Sequence, residues 1–436
     1  MPGMYFLYSL LLGLAAIAFA PWWLARMLTQ GKYRAGLGER LGRVPPRLGH
    51  AAGCVWVHAV SVGEVLAVSG LVAGLRERFP DRRVLISTTT ATGQKLARER
   101  FGEANVFYYP LDFGFAIRPY LRALRPSLIV LAESEFWPNF LRLADDAGAP
   151  IAVVNARVSD RSLPRYLRLH GLWRRLLRRV DLFLAQSEED AGRLKSIGAP
   201  EGRVRVGGNL KFDVAAPGAL PAAEMLRRVL RAAEAVIVCG STAEGEEAIV
   251  LPTFAKVLEE HPRAALVLAP RHPERFEAVA GLIAASGIKF WRRTQLAGNE
   301  SLSGSVLLLD SIGELAAVYS LASIAFVGGS LVPRGGHNIL EPAQYGVATV
   351  VGPHTENFRD IVRIFEQNDA VRIVNSEGFA GELLRLLEDS GARQELGSRG
   401  AEVVRQQRGA TVRTLDELDG LLATTWRRPP SAVGAR

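Results

Sequence analysis

Residues 54–64 read Cys54-Val-Trp-Val-His58-Ala-Val-Ser-Val-Gly-Glu64, an apolar run that ends in polar residues and leads into a helical stretch to Phe79. A short apolar run bounded in this way is typical of a buried strand. Similar runs recur at 84–88, 105–109, 128–132, 151–154, 182–185 and 204–206. Short strands that alternate with helical stretches predict βαβ units and a parallel sheet.

A second series of apolar runs follows a break at 213–220 that contains Pro217 and Gly218. These runs lie at 235–239, 265–268, 288–291, 306–309, 324–327, 349–351 and 371–374. The sequence therefore predicts an α/β protein with two doubly wound, Rossmann-like domains that face a cleft. The predicted organisation is a membrane anchor at 1–25, an N-terminal domain at 26–213, a C-terminal domain at 214–426 and a tail at 427–436.

The composition limits the class of protein. The chain has 436 residues, of which 48% are hydrophobic and 22% charged, so it is neither a disordered chain nor a polytopic membrane protein. Its two cysteines, Cys54 and Cys239, lie in apolar runs, which excludes a disulfide scaffold and fits a reducing compartment. The net charge of +9 favours an anionic partner: nucleic acid, a phosphorylated lipid or an anionic membrane face.

The first 25 residues carry no charged side chain, and Trp22 and Trp23 follow the apolar run. About 20 apolar residues suffice to cross a bilayer, and tryptophan favours its interface. A cleaved signal peptide is the alternative, but no basic residue precedes the run. Residues 26–47 hold six basic residues against one acid, so the positive-inside rule places the rest of the protein in the cytoplasm.

Three polar clusters in the first half follow predicted strands, where ligands of parallel sheets gather. Glu64 is either an ordinary acid in the first turn of a helix or a general base. Glu133 and Glu135 lie either in a helix-capping region or at a working site, because two close acids are costly unless paired or used. Lys211 is either a linker lysine or a cation that stabilises developing negative charge.

A basic stretch at 165–179 contains six arginines interleaved with leucines and Trp173, and it has no acid. This pattern predicts a basic amphipathic helix suited to an anionic membrane or to phosphates on a lipid. A solvated face and a nucleic-acid patch are the alternatives, and the adjacent anchor disfavours nucleic acid.

Polar clusters also follow the strands of the second half, at 240–247, 270–275, 310–314, 328–330 and 335–342. Glycine pairs ahead of helices let backbone N–H groups approach a phosphate, and Glu341 can accept hydrogen bonds from ribose hydroxyls. These clusters predict a nucleotide or nucleotide-sugar site. The glycine fingerprint of dinucleotide-binding folds does not follow the first strand, the P-loop motif is absent, and no metal-binding motif stands out, so we expect no metal and no cofactor.

Several of these motifs together resemble the 3-deoxy-D-manno-octulosonic acid (Kdo) transferase family over nearly the whole chain. The resemblance rests on the anchor and on the stretches at 58–64, 133–139, 155–157, 210–213, 270–275, 335–341 and 352–358. It implies a GT-B glycosyltransferase fold with an N-terminal membrane helix. It further implies an enzyme that moves Kdo from CMP-Kdo onto the lipid A precursor, at the cytoplasmic face of the inner membrane of Gram-negative bacteria.

The resemblance assigns roles by position. Glu64 matches the family's general base, and Glu133 and Lys211 match its transition-state stabilisers. The matched CMP contacts are Pro270, Arg271, Ile312, Gly313, Glu314, Asn338, Ile339, Leu340 and Glu341. Candidate phosphate or acceptor contacts are Gly335, Gly336, Arg157, Arg174 and Arg175. The chain departs from the family at Ala243, where histidine is common, and at Ile339, where proline is common.

The expected partners are therefore CMP-Kdo, the lipid A precursor and inner-membrane lipids, without nucleic acid. The expected mechanism is a single inverting displacement with Glu64 as base, in an enzyme held by a single-pass anchor. Another membrane-bound glycosyltransferase with a UDP-sugar donor, and a non-enzymatic protein that binds lipid phosphates, are the alternatives.

Overall fold

The computed structural model describes residues 2–30, 34–160, 162–213 and 221–425. The chain forms two compact units, one of residues 1–214 and 408–436, the other of residues 215–407. Each contains one seven-stranded sheet whose strand pairs are all parallel. The predicted doubly wound α/β architecture is confirmed.

The first sheet has the strand order β3-β2-β1-β4-β5-β6-β7. Its strands are β1 (Val55–His58), β2 (Val84–Thr88), β3 (Val106–Tyr108), β4 (Leu128–Ala132), β5 (Ile151–Ala156), β6 (Leu182–Ala185) and β7 (Val204–Val206). The chain builds outward from β1 on one side, then returns to place β4 on the other. The carboxyl ends of β1 and β4 therefore flank the point at which ligands bind in open α/β sheets.

Helices cover both faces of this sheet. They are α1 (Pro2–Gln30), α2 (Leu37–Arg40), α3 (Val62–Ala67), α4 (Ser69–Arg78), α5 (Ala91–Phe101), α6 (Gly114–Leu124), α7 (Pro138–Asp146), α8 (Leu163–Arg168), α9 (His170–Leu177) and α10 (Glu188–Ser196). The strands β1 to β6 are buried on both faces, which is why they read as continuous apolar runs, whereas the edge strand β7 exposes Arg205 and Val206. On one face, the fully buried Trp56 packs among the rings of Phe107, Tyr120 and Phe140.

The second sheet has the order β10-β11-β9-β8-β12-β13-β14. Its strands are β8 (Val236–Thr242), β9 (Ala265–Pro270), β10 (Phe290–Arg292), β11 (Val306–Leu308), β12 (Ile324–Val327), β13 (Ala348–Val351) and β14 (Arg372–Ile373). Its helices are α11 (Pro221–Val229), α12 (Glu247–Glu260), α13 (Phe276–Ala285), α14 (Leu315–Val318), α15 (Leu340–Ala343), α16 (Arg359–Gln367), α17 (Phe379–Glu388) and α18 (Ser390–Gln407). Here the topological switch lies between β8 and β12.

The last helix, α19 (Ala410–Thr425), differs from the predicted organisation. The sequence assigned 214–426 to the second domain, whereas the chain from 408 onward belongs to the first unit. Leu415 and Leu418 join the core that covers one face of the first sheet. Asp213 accepts hydrogen bonds from the N–H groups of Gly409 (2.7 Å) and Thr411 (2.5 Å). Residues 214–220 of the predicted break at 213–220, and the predicted tail at 427–436, lie outside the described residues.

One described helix, at Gly3–Trp23 within α1, is long and apolar enough to cross a membrane, by length and composition. Most of its large apolar side chains are exposed, as Phe6 (71%) and Ile17 (73%) illustrate. Its first two turns, however, pack against the first unit. Arg179 donates to the hydroxyl of Tyr5 (3.0 Å), and the amide of Asn139 donates to Ser9 Oγ (3.0 Å).

The basic stretch at 165–179 forms two short helices, α8 and α9, instead of the single amphipathic helix that the sequence predicted. Leu169, between them, has non-helical backbone angles. Arg174 and Arg175 remain exposed, as do Leu167 and Leu169. Arg179 is instead engaged by the carboxylates of Asp145 and Asp146.

Candidate active site

Glu64 lies at the carboxyl end of β1, in the first turn of α3, and its side chain is almost fully buried. Its carboxylate accepts hydrogen bonds from the N–H of Val60 (2.8 Å) and the hydroxyl of Ser61 (3.0 Å). Burial, followed by the negative charge of Glu133, raises the pKa of Glu64 to about 7, and the two hydrogen bonds oppose that rise. A carboxylate that titrates near neutral pH is well matched to general-base catalysis.

Glu133 is the first residue after β4 and adopts a left-handed backbone conformation with φ of 57°. This conformation is uncommon outside glycine, and such residues cluster at functional sites. Lys211 reaches this carboxylate, with its Nζ 3.5 Å from Glu133 Oε1, and both side chains are partly exposed. The structure thus brings together Glu133 and Lys211, which lie far apart in the sequence.

The segment that carries Lys211 is held by a chain of amide hydrogen bonds. Asn155, at the carboxyl end of β5, accepts from the N–H of Leu210 (3.0 Å) through its side-chain oxygen. Asn209 accepts from the N–H of Lys211 (3.0 Å) and donates to Gln186 (3.0 Å). Asn155 also has a positive φ, 53°, and is buried. These amides therefore hold the backbone of Leu210 and Lys211 in place.

His58 ends β1 and is fully buried. Its Nδ1 lies 3.1 Å from the carbonyl oxygen of Ser87, and its ring stacks on Tyr109 at 3.8 Å between centroids. Burial lowers the pKa of His58 to about 3. A histidine held neutral in the core supports the strand end that leads to Glu64.

The three arginines predicted as acceptor contacts differ in their environment. Arg157 is partly buried, and its carbonyl oxygen accepts a hydrogen bond from Ser134, which ties β5's exit to the loop after β4. Arg174 and Arg175 are exposed on α9.

In the second unit, several residues predicted to contact CMP lie at the carboxyl end of β9 and at the start of α15. Pro270 ends β9, and the exposed Arg271 donates its backbone N–H to Thr242 (3.0 Å). Burial raises the pKa of Glu341, while the amide of Asn338 at 3.3 Å and the charge of Arg271 act in the opposite direction. A cation, a carboxylate and an amide converge there.

Ile312, Gly313 and Glu314 lie in the turn between β11 and α14. The Ile312 side chain is 79% exposed. Glu314 is anchored by Arg293 (2.9 Å) and Ser311 (2.5 Å). The turn therefore presents an apolar side chain from a fixed base.

Gly335 and Gly336 are buried and have positive φ values of 89° and 72°. A Cβ atom on Gly335 would lie 2.5 Å from the Asn357 amide nitrogen, and the φ of 89° would strain any residue other than glycine there. The side chains of Ile339 and Leu340 are also buried, so only their backbone can contact a ligand directly.

At the loops 240–247 and 328–330, some of the backbone N–H groups expected to bind the anion of a ligand are bound by a carboxylate of the chain itself. Glu246 is fully buried and accepts from the backbone N–H groups of Ala243 (2.8 Å), Gly329 (2.7 Å), Ser330 (2.9 Å) and Leu331 (2.9 Å). These are the donors that the glycine-rich pattern seemed to offer to a phosphate.

Glu247, next to it, is also fully buried and binds both terminal nitrogens of Arg275 at 2.8 Å. The sequence pattern predicts no role for either acid. Two adjacent acids at the start of an apolar helix were the available signal. Among the described residues, no group of three or more His, Cys, Asp or Glu side chains could hold a metal ion.

This chain is similar to a known protein family, to individual members of that family and to solved structures. The family described as 3-deoxy-D-manno-octulosonic-acid transferase (kdotransferase) matches residues 35–214. The 3-deoxy-D-manno-octulosonic acid transferase of Haemophilus influenzae is 36% identical over 89% of this chain and 91% of its own length. The enzyme of the same name from Bordetella pertussis is 36% identical over 95% of this chain and 99% of its own length.

Among solved structures, a glycosyltransferase from Rickettsia africae superposes with a TM-score of 0.56 at 11% identity. The match covers 86% of this chain and 99% of that protein. At this identity the likeness concerns the fold, which is that of the GT-B glycosyltransferases.

Proposed function

The chain belongs to the 3-deoxy-D-manno-octulosonic-acid transferase family, a family of glycosyltransferases of lipopolysaccharide biosynthesis, and from this premise we propose its substrates and mechanism. The donor is CMP-Kdo, and the acceptor is the lipid A precursor lipid IVA. The observation that carries the proposal is the environment of Glu64, a nearly buried carboxylate with a pKa of about 7 at the carboxyl end of β1.

In the proposed step, the Glu64 carboxylate takes the proton of an acceptor hydroxyl. The hydroxyl oxygen attacks the anomeric carbon of Kdo from the face opposite CMP, which inverts the configuration. The bond between that carbon and the CMP phosphate oxygen breaks, and its electron pair leaves with CMP. Because the reaction is an in-line displacement, base and leaving group act on opposite sides of one carbon.

Lys211 and Glu133 stabilise the charges that change during this step. The ammonium of Lys211 offsets negative charge on the sugar acid or the departing phosphate. Glu133 holds that ammonium at 3.5 Å and, through its own charge, helps to keep the pKa of Glu64 near 7. Glu133 thus fixes the position of the Lys211 ammonium and also raises the basicity of Glu64.

CMP is held by the second unit through Pro270, Arg271, the turn of Ile312, Gly313 and Glu314, and the segment 338–341. Arg271 supplies positive charge for the single phosphate, and Glu341 accepts from ribose hydroxyls. The closely packed Gly335 and Gly336 shape the loop before that segment. The carboxylate of Glu246 already occupies the glycine-rich loop, which supports a donor with one phosphate over one with two.

We propose that α1 holds the protein at the inner membrane with both units in the cytoplasm. The exposed apolar side chains of α1 support this, and so does the basic flank that follows it, because the anionic cytoplasmic leaflet attracts such a flank. The sequence predicted a single pass across the bilayer. The bonds of Tyr5 and Ser9 to the first unit favour a helix that lies along that unit, since a crossing helix would carry them to the opposite side.

The experiment for the function is transfer of labelled Kdo from CMP-Kdo to lipid IVA by the purified full chain in detergent. We expect labelled product with CMP-Kdo and none with a UDP-sugar. Product only with a UDP-sugar would contradict the proposed donor, and failure with both would contradict the proposed reaction.

The location of α1 can be tested separately. Cysteines introduced at Ser9 and Asn139, in a chain whose native cysteines are both buried, should crosslink in isolated membranes. Absence of the crosslink, together with labelling of a Gly3→Cys variant by an impermeant maleimide from the periplasm, would show that the helix crosses.

A further inference from the structure

The first unit contains an apolar cavity of about 280 Å³ between α1, the beginning of α7 and α9. Met4 and Tyr8 line it from α1, Phe136 and Trp137 from the start of α7, and Leu172 and Trp173 from α9. None of these six side chains is charged. The cavity is thus suited to a hydrocarbon ligand.

The walls of the cavity are fixed by aromatic packing. Trp173 packs edge-on against Tyr166, with centroids 4.7 Å apart, and lies 6.2 Å from Phe136. The indole N–H of Trp137 donates to Glu135 Oε2 at 2.8 Å, so the polar atom of this wall residue is satisfied. Because the wall consists of aromatic and aliphatic side chains, the transfer of a hydrocarbon chain from water into the cavity has a favourable free energy.

The cavity adjoins the catalytic carboxylates along the chain. Phe136 and Trp137 lie on the loop that begins at Glu133, directly after β4. The charge of Glu135, which is bonded to Trp137, contributes to the raised pKa of Glu64. A ligand in the cavity is therefore close to the site at which the acceptor hydroxyl is deprotonated.

The surroundings of the cavity match a phosphorylated lipid. Leu172, 36% exposed, stands on the same helix as the exposed Arg174 and Arg175. On the other side, the cavity is continuous with α1, whose apolar side chains are exposed and which anchors the protein in our proposal. Arginines beside an apolar cavity can hold lipid phosphates while a chain is buried.

We propose that this cavity binds one acyl chain of the lipid acceptor and so positions the reacting sugar of that acceptor at Glu64. The inference rests on the proposed function and names the part of the acceptor that the first unit recognises. It accounts for the contact between α1 and the catalytic unit, since α1 supplies one wall of the acyl site.

The test compares two acceptors that share the phosphorylated disaccharide: acylated lipid IVA and its fully deacylated, water-soluble form. Leu172→Trp fills the cavity from α9. We expect it to raise KM for lipid IVA at least 10-fold, the equivalent of about two methylene groups left unburied. Its kcat/KM for the deacylated acceptor and its affinity for CMP should equal those of wild type.

Leu167→Trp is the matched control, because it adds the same ring to an exposed leucine of α8 outside the cavity. Met4→Trp fills the cavity from the opposite wall and should reproduce the effect of Leu172→Trp. Because CMP affinity reports folding of the donor unit and the deacylated acceptor reports the catalytic site, a misfolded variant is recognised.

Three results would overturn the proposal: an equal loss on both acceptors, no loss on either, or the same loss in Leu167→Trp. A Leu172→Trp variant that binds acceptor-free phospholipid vesicles less well, with an unchanged KM for lipid IVA, would assign the cavity to a bilayer lipid instead. If wild type transfers Kdo to neither acceptor, the proposed function itself fails.

Discussion

Replacing Glu64 with glutamine should make the first unit more stable above neutral pH while removing its base. In the folded protein the pKa of Glu64 is about 7, against 4.5 in its ordinary state. At 1.36 kcal/mol for each pH unit, the difference corresponds to about 3 kcal/mol. Because the pKa of Glu64 is higher in the folded than in the unfolded chain, protonated Glu64 stabilises the folded state. This contribution to the free energy of unfolding is complete below pH 4.5 and is lost as the pH rises through 7.

Glutamine resembles the protonated acid, so the variant does not lose this stabilisation as the pH rises. We expect its free energy of unfolding to exceed that of wild type by about 1–3 kcal/mol at pH 8 and to match it near pH 4. The lower limit allows for the hydrogen bonds from Val60 and Ser61, which an amide can accept only in part. A site held less stable than it could be is a common consequence of function.

The assay is hydrogen exchange of the β1 amides, Val55–His58, in the detergent-solubilised full chain between pH 4 and 9. After correction for the intrinsic pH dependence of exchange, the two proteins should diverge through the window from 4.5 to 7. Glu77→Gln, at an exposed position on α4, is the control and should follow wild type throughout. A Glu64→Gln variant that is equally or less stable at pH 8 would refute the reasoning.

The remaining predictions concern activity. The kcat/KM of wild type should rise with pH through a midpoint near 7, and Glu133→Gln should lower that midpoint because a like charge is removed; an unmoved midpoint would refute this coupling. Asn155→Ala removes the hydrogen bond to the N–H of Leu210, and alanine disfavours the φ of 53° at this position. We expect kcat to fall more than 10-fold with unchanged CMP affinity. A kcat equal to that of wild type would show that Asn155 does not position Lys211. Arg271→Ala should weaken CMP binding at least 10-fold by calorimetry, and unchanged affinity would exclude the contact. Activity should survive EDTA, and its loss, restored by a divalent cation, would contradict a metal-free mechanism.

The sheets were predictable because parallel strands buried on both faces leave long apolar runs in the sequence. The cluster of acids that follow β1 and β4 was predictable for a related reason: polar residues that end such runs meet at one edge of the sheet. Glu64 and Glu133 were found in this way. For Lys211 the sequence left two interpretations open, a linker lysine and a stabilising cation. Its ion pair with Glu133 could not be predicted, because the backbone that carries Lys211 is held by the distant amide of Asn155 and by that of Asn209.

The sequence could not reveal which groups satisfy a glycine-rich loop. The pattern at 328–330 offers backbone N–H groups to any anion, and whether that anion is a ligand or a side chain depends on tertiary packing. Glu246, more than 80 residues away, fills it. In the same way, no local pattern in 410–425 shows that α19 returns to the first unit.

The most direct test of the account is the rate at which Glu64→Gln transfers Kdo from CMP-Kdo to lipid IVA, measured beside its affinity for CMP. If Glu64 is the base, kcat should fall at least 100-fold, in the range expected for loss of a general base, while CMP binds as in wild type. A variant that keeps a kcat within threefold of wild type would contradict the assignment of Glu64 and the mechanism built on it.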